Sequence, residues 1–309
     1  MYQRIPISGL SELEWLELRK TGIGGSDAGA VAGVSPYSSP MKVYRDKTSK
    51  EVELVSSEQL RVGKDLEAYV ADRFCEATGK KVRKSNYMYR NEDYPWMIAD
   101  VDRLVVGEDA ILECKTCNAY GASAWADGKV PETYVCQCYH YMAVTGKKTC
   151  YIACLIMGKE FVYRKIEWDD ELINTLIRIE KEFWQNNVKK GIMPPADGSK
   201  SCDEIINMRF GKANKGSVIQ LIGMNDKLNR RAQIIDKVDE LQKEQSKIEQ
   251  EIKLIMGENE VAESDGFKVT WANVESTRLD AKRIKAEKPD LYEEYAKPCL
   301  SRRFVVQAA

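Results

Sequence analysis

Histidine is nearly absent from this sequence: among 309 residues there is one, His140. A single imidazole excludes a zinc site built on histidines, a Ser-His-Asp triad and phosphodiester chemistry that needs two histidines. Hydrolysis by this chain would have to depend on carboxylates and lysine. His140 lies in an apolar helical stretch, where we expect it to have a structural role.

Long apolar runs are also absent. No stretch reaches the roughly 18 apolar residues of a membrane span, and the start, MYQRIPISGLSELEW, lacks the apolar core of a signal peptide. The nine cysteines are therefore expected to be reduced thiols. We expect a cytoplasmic protein without a membrane partner.

Excess positive charge is missing as well, since 47 Lys and Arg residues accompany 48 Asp and Glu residues. This balance argues against nucleic-acid binding by bulk electrostatics, which needs a basic surface. A local basic cluster can replace that surface, and so can an acidic site loaded with a divalent metal. Lys80, Lys81, Arg83 and Lys84 form one such cluster. A solvated loop after a helix is an equally good interpretation of these residues.

The chain is too long for one small core, so two domains are expected. Residues 1–195 are predicted to form an α/β (α+β mixed) domain, with a mixed central sheet flanked by helices. Composition shifts toward charge after Pro194 and Pro195. Residues 196–309 are predicted to form an appendage, with a long helix or helical hairpin over about 218–256 and short strands near 265–274 and 302–307.

Caps and apolar spacing predict the elements of the main domain. Ser11 and Glu14 form a capping box, and Gly79 ends a long helix that contains Glu67. We predict helices over 11–20, 57–78 and 168–190 and from about 120 and 131, and strands over 81–89, 97–106, 110–116, 149–157 and 160–166.

A glycine-rich segment, GIGGSDAGAVAG, follows the first helix. Its glycines predict a turn, after which Ser26 and Asp27 can cap a short helix whose backbone N–H groups point outward. The segment lacks the Lys-Ser/Thr ending of a Walker loop. Both an ordinary turn and a phosphate cradle remain open.

The stretch ADVDRLVVGEDAILECKT combines acids and a lysine with apolar residues. Asp102 is predicted to begin one strand, and Glu113 and Lys115 lie on one face of its hairpin partner. Carboxylates that meet in an apolar setting favour a hard divalent ion, Mg²⁺ or Mn²⁺, between them. Lys115 would then act electrostatically or as an acid or base. Alternating charges on an exposed strand are the other interpretation.

Four segments in order resemble the YqaJ-type viral recombinases, relatives of phage lambda exonuclease within the PD-(D/E)xK nuclease superfamily. They are WLELRKTGIGGSDAGAVAGVSPYSSPMKVY, GKDLEAYVADRF, the hairpin from Asp102 to Lys115, and PETYVCQCYHYMAVTG, within a resemblance that covers roughly residues 10–160. Val101 and Arg103 stand where the superfamily's motif has proline and glycine, which affects turn geometry rather than chemistry.

The resemblance implies a metal site of a pair of Mg²⁺ or Mn²⁺ ions. Asp102 and Glu113 would be ligands, Glu67 a further ligand directly or through water, Cys114 a ligand by its backbone carbonyl, and Lys115 the catalytic lysine.

The resemblance also implies contacts with DNA. Arg19 and Ser26 would hold the 5′ phosphate of the end being degraded. Gln137 and Tyr141, which fit the Gln-x-x-x-Tyr pattern of RecB-type nucleases and share a helix face, would orient the metal site or the DNA strand.

The function implied is that of a 5′-to-3′ exonuclease on double-stranded DNA with free ends, from a phage or prophage recombination system. Its expected partners are a RecT-like single-strand annealing protein and further copies of itself, as in a ring trimer. An endonuclease or bidirectional nuclease on the same fold is an alternative, and a non-catalytic DNA-binding or assembly factor is another. An iron–sulfur cluster is a further alternative, held by Cys114, Cys117, Cys136 and Cys138.

Overall fold

The computed structural model describes residues 1–52, 57–298 and 301–307. The chain forms two units, Met1–Gly211 and Lys212–Ala309. The first unit therefore extends beyond the division proposed at residue 195, because Cys202 and Ile205, which follow the two prolines, are buried against Met41. The paired prolines therefore do not mark the end of this unit.

The first unit is built from successive runs of helices and strands. Its elements in chain order are β1 Tyr2–Pro6, α1 Glu12–Lys20, α2 Gly25–Val31, α3 Pro40–Thr48, α4 Glu58–Thr78, β2 Val82–Lys84, β3 Tyr87–Asn91, β4 Ile98–Ala99, β5 Arg103–Val105, β6 Ala110–Cys117, α5 Glu132–Thr145, β7 Thr149–Ile156, β8 Glu160–Glu167, α6 Asp170–Phe183 and α7 Lys200–Arg209.

A five-stranded mixed sheet forms the centre of this unit, in the order β2-β5-β6-β7-β8. Strands β6 and β7 are parallel and the other neighbours are antiparallel. The crossover between β6 and β7 carries α5, as a parallel pair requires. The predicted mixed sheet with helical flanks is confirmed.

A second sheet, β1-β3-β4, was not expected. Its strands β3 and β4 come from the two segments predicted as single strands, 81–89 and 97–106, and each segment divides between the two sheets. The cause is the N-terminal strand, which pairs with β3 so that Ile5 lies opposite Met88. Such pairing between distant segments leaves no local signal in the sequence.

Helix ends follow the caps in the sequence, with one exception. Ser11 and Glu14 form the predicted capping box of α1, and Gly79 ends α4 in the left-handed conformation. Helix α2, in contrast, is capped at Gly24, and Asp27 reaches back to accept a hydrogen bond from the Gly24 N–H at 2.9 Å. The prediction is therefore wrong for Ser26, whereas Asp27 does take part in capping the helix, from its third position.

Two predicted helices are irregular. The one expected from about 120 is a 3₁₀ segment, Ala119–Gly128, in which Asp127 has a positive φ of 54°. The helix predicted over 168–190 is α-helical only to Phe183 and continues as a π-turn, Trp184–Val188.

His140 joins α5 to α6 and β4 in the core. Its Nε2 lies 2.9 Å from the Ile98 carbonyl oxygen, which only accepts, so this nitrogen carries a proton. Its Nδ1 lies 2.7 Å from Glu180 Oε1. Both side chains are completely buried, in keeping with the structural role expected for this histidine.

The second unit is built around one long helix. Its elements are α8 Asn225–Met256, β9 Val261–Ser264, β10 Phe267–Thr270, α9 Ala281–Glu287 and α10 Pro289–Tyr295. The alternative of a helical hairpin over 218–256 is thus wrong. Residues 302–307 are not a strand either. Strand β10 lies within the predicted 265–274 segment, and its hairpin partner β9 precedes that segment.

Within the described ranges, none of the helices combines the length and apolarity needed to cross a membrane. The eight cysteines that the structure describes are free thiols.

Candidate active site

Two carboxylates meet where β5 and β6 pair. Arg103 lies opposite Leu112 in the ladder, so the preceding Asp102 comes beside Glu113. Asp102 stands just before β5 rather than on it, and its Oδ2 accepts a hydrogen bond from the Cys114 backbone N–H at 2.7 Å. This bond fixes the Asp102 carboxylate at the beginning of β5, an interior strand of the sheet.

Glu113 is the most constrained acid of the site, with 3% of its surface exposed. Its Oε1 accepts hydrogen bonds from Lys115 Nζ at 2.5 Å and from Gln137 Nε2 at 2.7 Å. Its Oε2 is buried and has no hydrogen-bond partner among the described residues. A buried carboxylate oxygen without a donor is costly and calls for a ligand.

The charge of Glu113 disfavours a charge on Asp102. Burial and the nearby Glu113 raise the pKa of Asp102 well above its usual value. Burial also raises the pKa of Glu113, although Lys115 counteracts part of this effect. A cation between the two carboxylates would remove both penalties.

Lys115 is positively charged in this site. Burial alone would lower its pKa, but Glu113 and Asp102 outweigh burial and raise it above the usual value. Its Nζ also lies 4.8 Å from the centre of the Tyr134 ring. Lys115 is therefore an electrostatic group or a proton donor, and a protonated amine cannot be a metal ligand.

Gln137 and Tyr141 lie one turn apart on α5, as predicted. Gln137 Nε2 donates to the Tyr141 hydroxyl at 3.1 Å as well as to Glu113. The chain of contacts continues to Gly25 on α2, where a Cβ atom would lie 2.2 Å from the Tyr141 ring. One turn later a Cβ at Gly29 would lie 2.4 Å from Thr133 Oγ1. The two glycines thus allow α2 to approach α5 closely.

This approach places a second polar cluster near the acids. Arg19 Nη2 donates to Ser26 Oγ at 2.6 Å and lies 3.6 Å from Asp27 Oδ1. Lys47 Nζ pairs with Asp27 Oδ2 at 2.7 Å. Burial alone would raise the pKa of Asp27, but Lys47 and Arg19 outweigh it and lower the pKa to about 2. The ionised Asp27 holds Arg19 in place beside Ser26.

Three contributors to this cluster, Trp15, Lys47 and Asp100, were missed at the sequence level. Trp15 Nε1 donates to Asp100 Oδ2 at 2.8 Å, and the Arg19 guanidinium lies 5.0 Å from the centre of the Trp15 ring. The available signal was the pair Asp100-x-Asp102, whose two acids follow the same buried strand.

Glu67, the further metal ligand implied by the resemblance, lies on α4 near the two acids, and its side chain is hydrogen-bonded to Arg103. Its Oε1 accepts a hydrogen bond from Arg103 Nη1, which also donates to the Asp102 carbonyl oxygen at 2.8 Å. Glu67 contributes to raising the pKa of Asp102 and of Glu113, so it is within electrostatic range of both.

The donor set fits a magnesium ion, although not a closed cage. In the described part of the chain, no three or more acidic, cysteine or histidine side chains are gathered so as to hold a metal. Mg²⁺ normally keeps several waters and binds through one or two carboxylates plus substrate phosphates. Asp102, the free Oε2 of Glu113 and the Cys114 carbonyl meet that requirement. Burial raises the pKa of the Cys114 thiol, which disfavours it as a thiolate ligand.

The predicted basic cluster lies on and before the edge strand β2 rather than in a loop. Lys80 forms an ion pair with Glu108, whereas the side chains of Lys81, Arg83 and Lys84 are exposed. Both alternatives for this cluster, a solvated face and a phosphate contact, are compatible with that position.

Comparison with known proteins identifies the family. A model of the YqaJ-like viral recombinase domain matches residues 14–148, which include all the residues of the two polar clusters. The uncharacterized protein YqaJ of Bacillus subtilis (strain 168) is 37% identical over 304 residues, covering 97% of this chain and 95% of that protein. The chain belongs to the YqaJ family.

Solved structures show the same fold for the YqaJ-like domain. The alkaline exonuclease LHK-Exo from Laribacter hongkongensis matches with a TM-score of 0.50 and 21% identity, covering 58% of this chain and 93% of that one. LHK-Exo in complex with dAMP matches with a TM-score of 0.50 and 20% identity, covering 63% and 96% respectively. This YqaJ-family chain therefore has the fold of an alkaline exonuclease.

Proposed function

We propose that this YqaJ-family protein is a Mg²⁺-dependent exonuclease that degrades one strand of double-stranded DNA from its 5′ end. The observation that carries the proposal is the buried pair Asp102 and Glu113, with a free oxygen on Glu113 and the protonated Lys115 beside it. Family membership and fold support a nuclease; the polarity, the metal and the partners are our inference.

Asp102, Glu113 and the Cys114 carbonyl would hold the metal, with Glu67 contributing through water. A pair of Mg²⁺ or Mn²⁺ ions would supply Lewis-acid polarisation of the phosphodiester and a more acidic water. Gln137 keeps Oε1 of Glu113 turned toward Lys115, which leaves Oε2 for ligation.

Lys115 has an electrostatic role in this proposal. Because its amine is protonated and held 2.5 Å from Glu113, it can stabilise the charge that develops on the phosphate or donate a proton to the leaving oxygen. Its charge state disfavours a role as the base that activates water.

Arg19 and Ser26 would bind the terminal 5′ phosphate. Arginine suits this task because its planar guanidinium remains charged and binds phosphate through paired hydrogen bonds. The packing of Gly25 on Tyr141 joins this subsite to the acids through Gln137. A phosphate-binding site at a fixed position beside the metal site would select 5′ ends and so give the enzyme 5′-to-3′ polarity.

The product would be duplex with single-stranded 3′ tails. We propose that a RecT-like single-strand annealing protein receives these tails, that the protein works in the cytoplasm of a bacterial cell, and that it acts as a homo-oligomer such as a ring trimer that encircles DNA.

Digestion of linear duplexes labelled at either the 5′ or the 3′ end, with and without Mg²⁺, tests the proposal. We expect Mg²⁺-dependent release of the 5′ label first, with closed circular DNA left intact. Cutting of circles would support an endonuclease on this fold. DNA binding without cleavage in Mg²⁺ or Mn²⁺ would support a non-catalytic factor and overturn the proposal.

A further inference from the structure

Helix α8 has a continuous apolar stripe at heptad spacing. Apolar residues recur every seven positions, at Ile234, Leu241, Ile248 and Ile255. Two further apolar residues lie three positions earlier in the chain: Val238 before Leu241, and Ile252 before Ile255. These are the d and a positions of a coiled coil, in which apolar residues recur every 3.5 residues on average. We define the seam as these six apolar residues together with Arg231 and Gln245, the other two a positions.

The seam is exposed within the unit that contains it, except at the half-buried Ile252. Leu241 has 64% and Ile255 has 84% of its surface accessible, and Ile234, Val238 and Ile248 are also exposed. The opposite face of α8 is mostly polar, so the apolar residues are concentrated on one side. A regular apolar stripe of this length is characteristic of a helix that packs on another helix.

The charged residues beside the seam indicate which helix packs against α8. The residues that precede each a position are Arg230 and Lys237 in the first half of α8, and Glu244 and Glu251 in the second half. In an antiparallel pair, these g positions face each other across the seam. One register then sets Lys237 opposite Glu244 and Arg230 opposite Glu251 of a second copy, with Val238 layered on its Leu241, and every pair is of opposite charge.

A parallel pair of α8 helices would bring different charges together. The g residue of one helix then faces the e residue five positions later in the other, which brings Glu244 against Glu249. Like charges at that position oppose the parallel arrangement. The a positions of the two halves of α8 also differ, because the N-terminal half carries Arg231 and the C-terminal half carries Ile252. The Arg231 guanidinium carbon lies 5.9 Å from the centre of the Phe304 ring.

We propose that α8 pairs antiparallel with α8 of a second copy of this chain, through the part of the seam between Arg231 and Ile248. Gln245 and Arg231 would fix the register at some cost in affinity, as polar a residues do in coiled coils. The contact is isologous, since each helix presents the same patch to the other. It is separate from any ring formed by the nuclease units, and two rings joined in this way would have twice the mass of one.

The first test is sedimentation equilibrium of the full chain carrying Leu241→Asp, with Lys243→Asp on the polar face as the matched control. Leu241→Asp is expected to weaken the two-fold association by more than about a hundredfold and so to halve the particle mass. Lys243→Asp should leave the mass unchanged. An unchanged mass in Leu241→Asp, or a wild-type chain that shows no such association at micromolar concentration, overturns the proposal. Because Leu241 is exposed, thermal unfolding should confirm that the variant remains folded.

Charge exchange tests the orientation. Lys237→Glu and Glu244→Lys should each weaken association about five- to tenfold, and the double variant should restore it, since the pairs are then re-formed with reversed sign. A stronger association in Glu244→Lys alone would show a parallel pair and contradict the proposal. The readout is mass and not cleavage, so failure here is distinguishable from failure of the proposed nuclease function.

Discussion

Gln137 Nε2 lies 2.7 Å from Glu113 Oε1, so a helix side chain occupies one oxygen of the buried acid while the other oxygen has no partner in the described structure. Helix α5 is thereby coupled to the carboxylates at the junction of β5 and β6. An amide that also donates to Tyr141 cannot rotate freely, which keeps Oε2 of Glu113 available.

Asp102→Asn should stabilise the metal-free protein. Asp102 and Glu113 are close and buried, and the charge of Glu113 disfavours a charge on Asp102. An asparagine oxygen can still accept the hydrogen bond from the Cys114 N–H. We expect the melting temperature without metal to rise by a few degrees, roughly the effect of 1 kcal/mol. The increase that Mg²⁺ produces in the wild type should be lost. A lower melting temperature without metal would show that the two acids do not repel each other in the folded state.

Asp27 should make stability depend on pH in the acid range. Its pKa is lowered to about 2 in the folded chain, so its stabilising contribution is fully present above the unfolded value near 4 and is lost as the pH falls toward 2. We expect the wild type to exceed Asp27→Asn by about 2 kcal/mol at pH 6 in chemical denaturation. That difference should shrink steadily below about pH 4. A difference that is constant with pH would contradict the Asp27–Lys47 ion pair.

Gly25→Ala should disturb the packing of α2 on α5. The added Cβ would lie 2.2 Å from the Tyr141 ring, and the buried ring has little room to move. We expect a loss of about 2 kcal/mol in the free energy of unfolding. Gly63→Ala, in helix α4, is the control, because its Cβ would lie 3.7 Å from Thr116 Oγ1, an ordinary van der Waals distance. That change should be neutral or stabilising by about 0.5 kcal/mol.

Arg19→Ala should remove the preference for phosphorylated ends. In the proposed site the Arg19 guanidinium and Ser26 bind the 5′ phosphate, so the ratio of digestion rates for 5′-phosphorylated and 5′-hydroxyl duplexes should fall about tenfold or more. Arg4→Ala, an exposed arginine of β1, serves as the control and should retain the wild-type ratio. Equal loss on both substrates would assign Arg19 to the fold rather than to phosphate recognition.

The hairpin that carries the acids could be predicted because its signals are local. Strand alternation and the turn at Gly107 place Asp102, Glu113 and Lys115 together, and the structure does bring them together. The Trp15–Asp100 and Asp27–Lys47 contacts could not be predicted in this way, since they depend on how distant segments pack.

The division of residues 81–89 between two sheets had the same origin. The sequence predicts one continuous strand here, and the pairing of β3 with the N-terminal strand separates β3 from β2. Glu67 illustrates the opposite case. Its place beside the acids followed from family resemblance, but its hydrogen bond with Arg103 was not foreseen, because nothing in a helix sequence specifies a partner on a later strand.

The most direct test of the central claim is the single-turnover rate of Lys115→Ala on a 5′-phosphorylated linear duplex in Mg²⁺, measured beside Lys159→Ala, which removes an exposed lysine from the turn between β7 and β8. If Lys115 stabilises charge at the metal site, its loss should lower the rate by about a hundredfold or more while DNA binding persists. Lys159→Ala should keep the wild-type rate. Undiminished cleavage by Lys115→Ala would contradict the account.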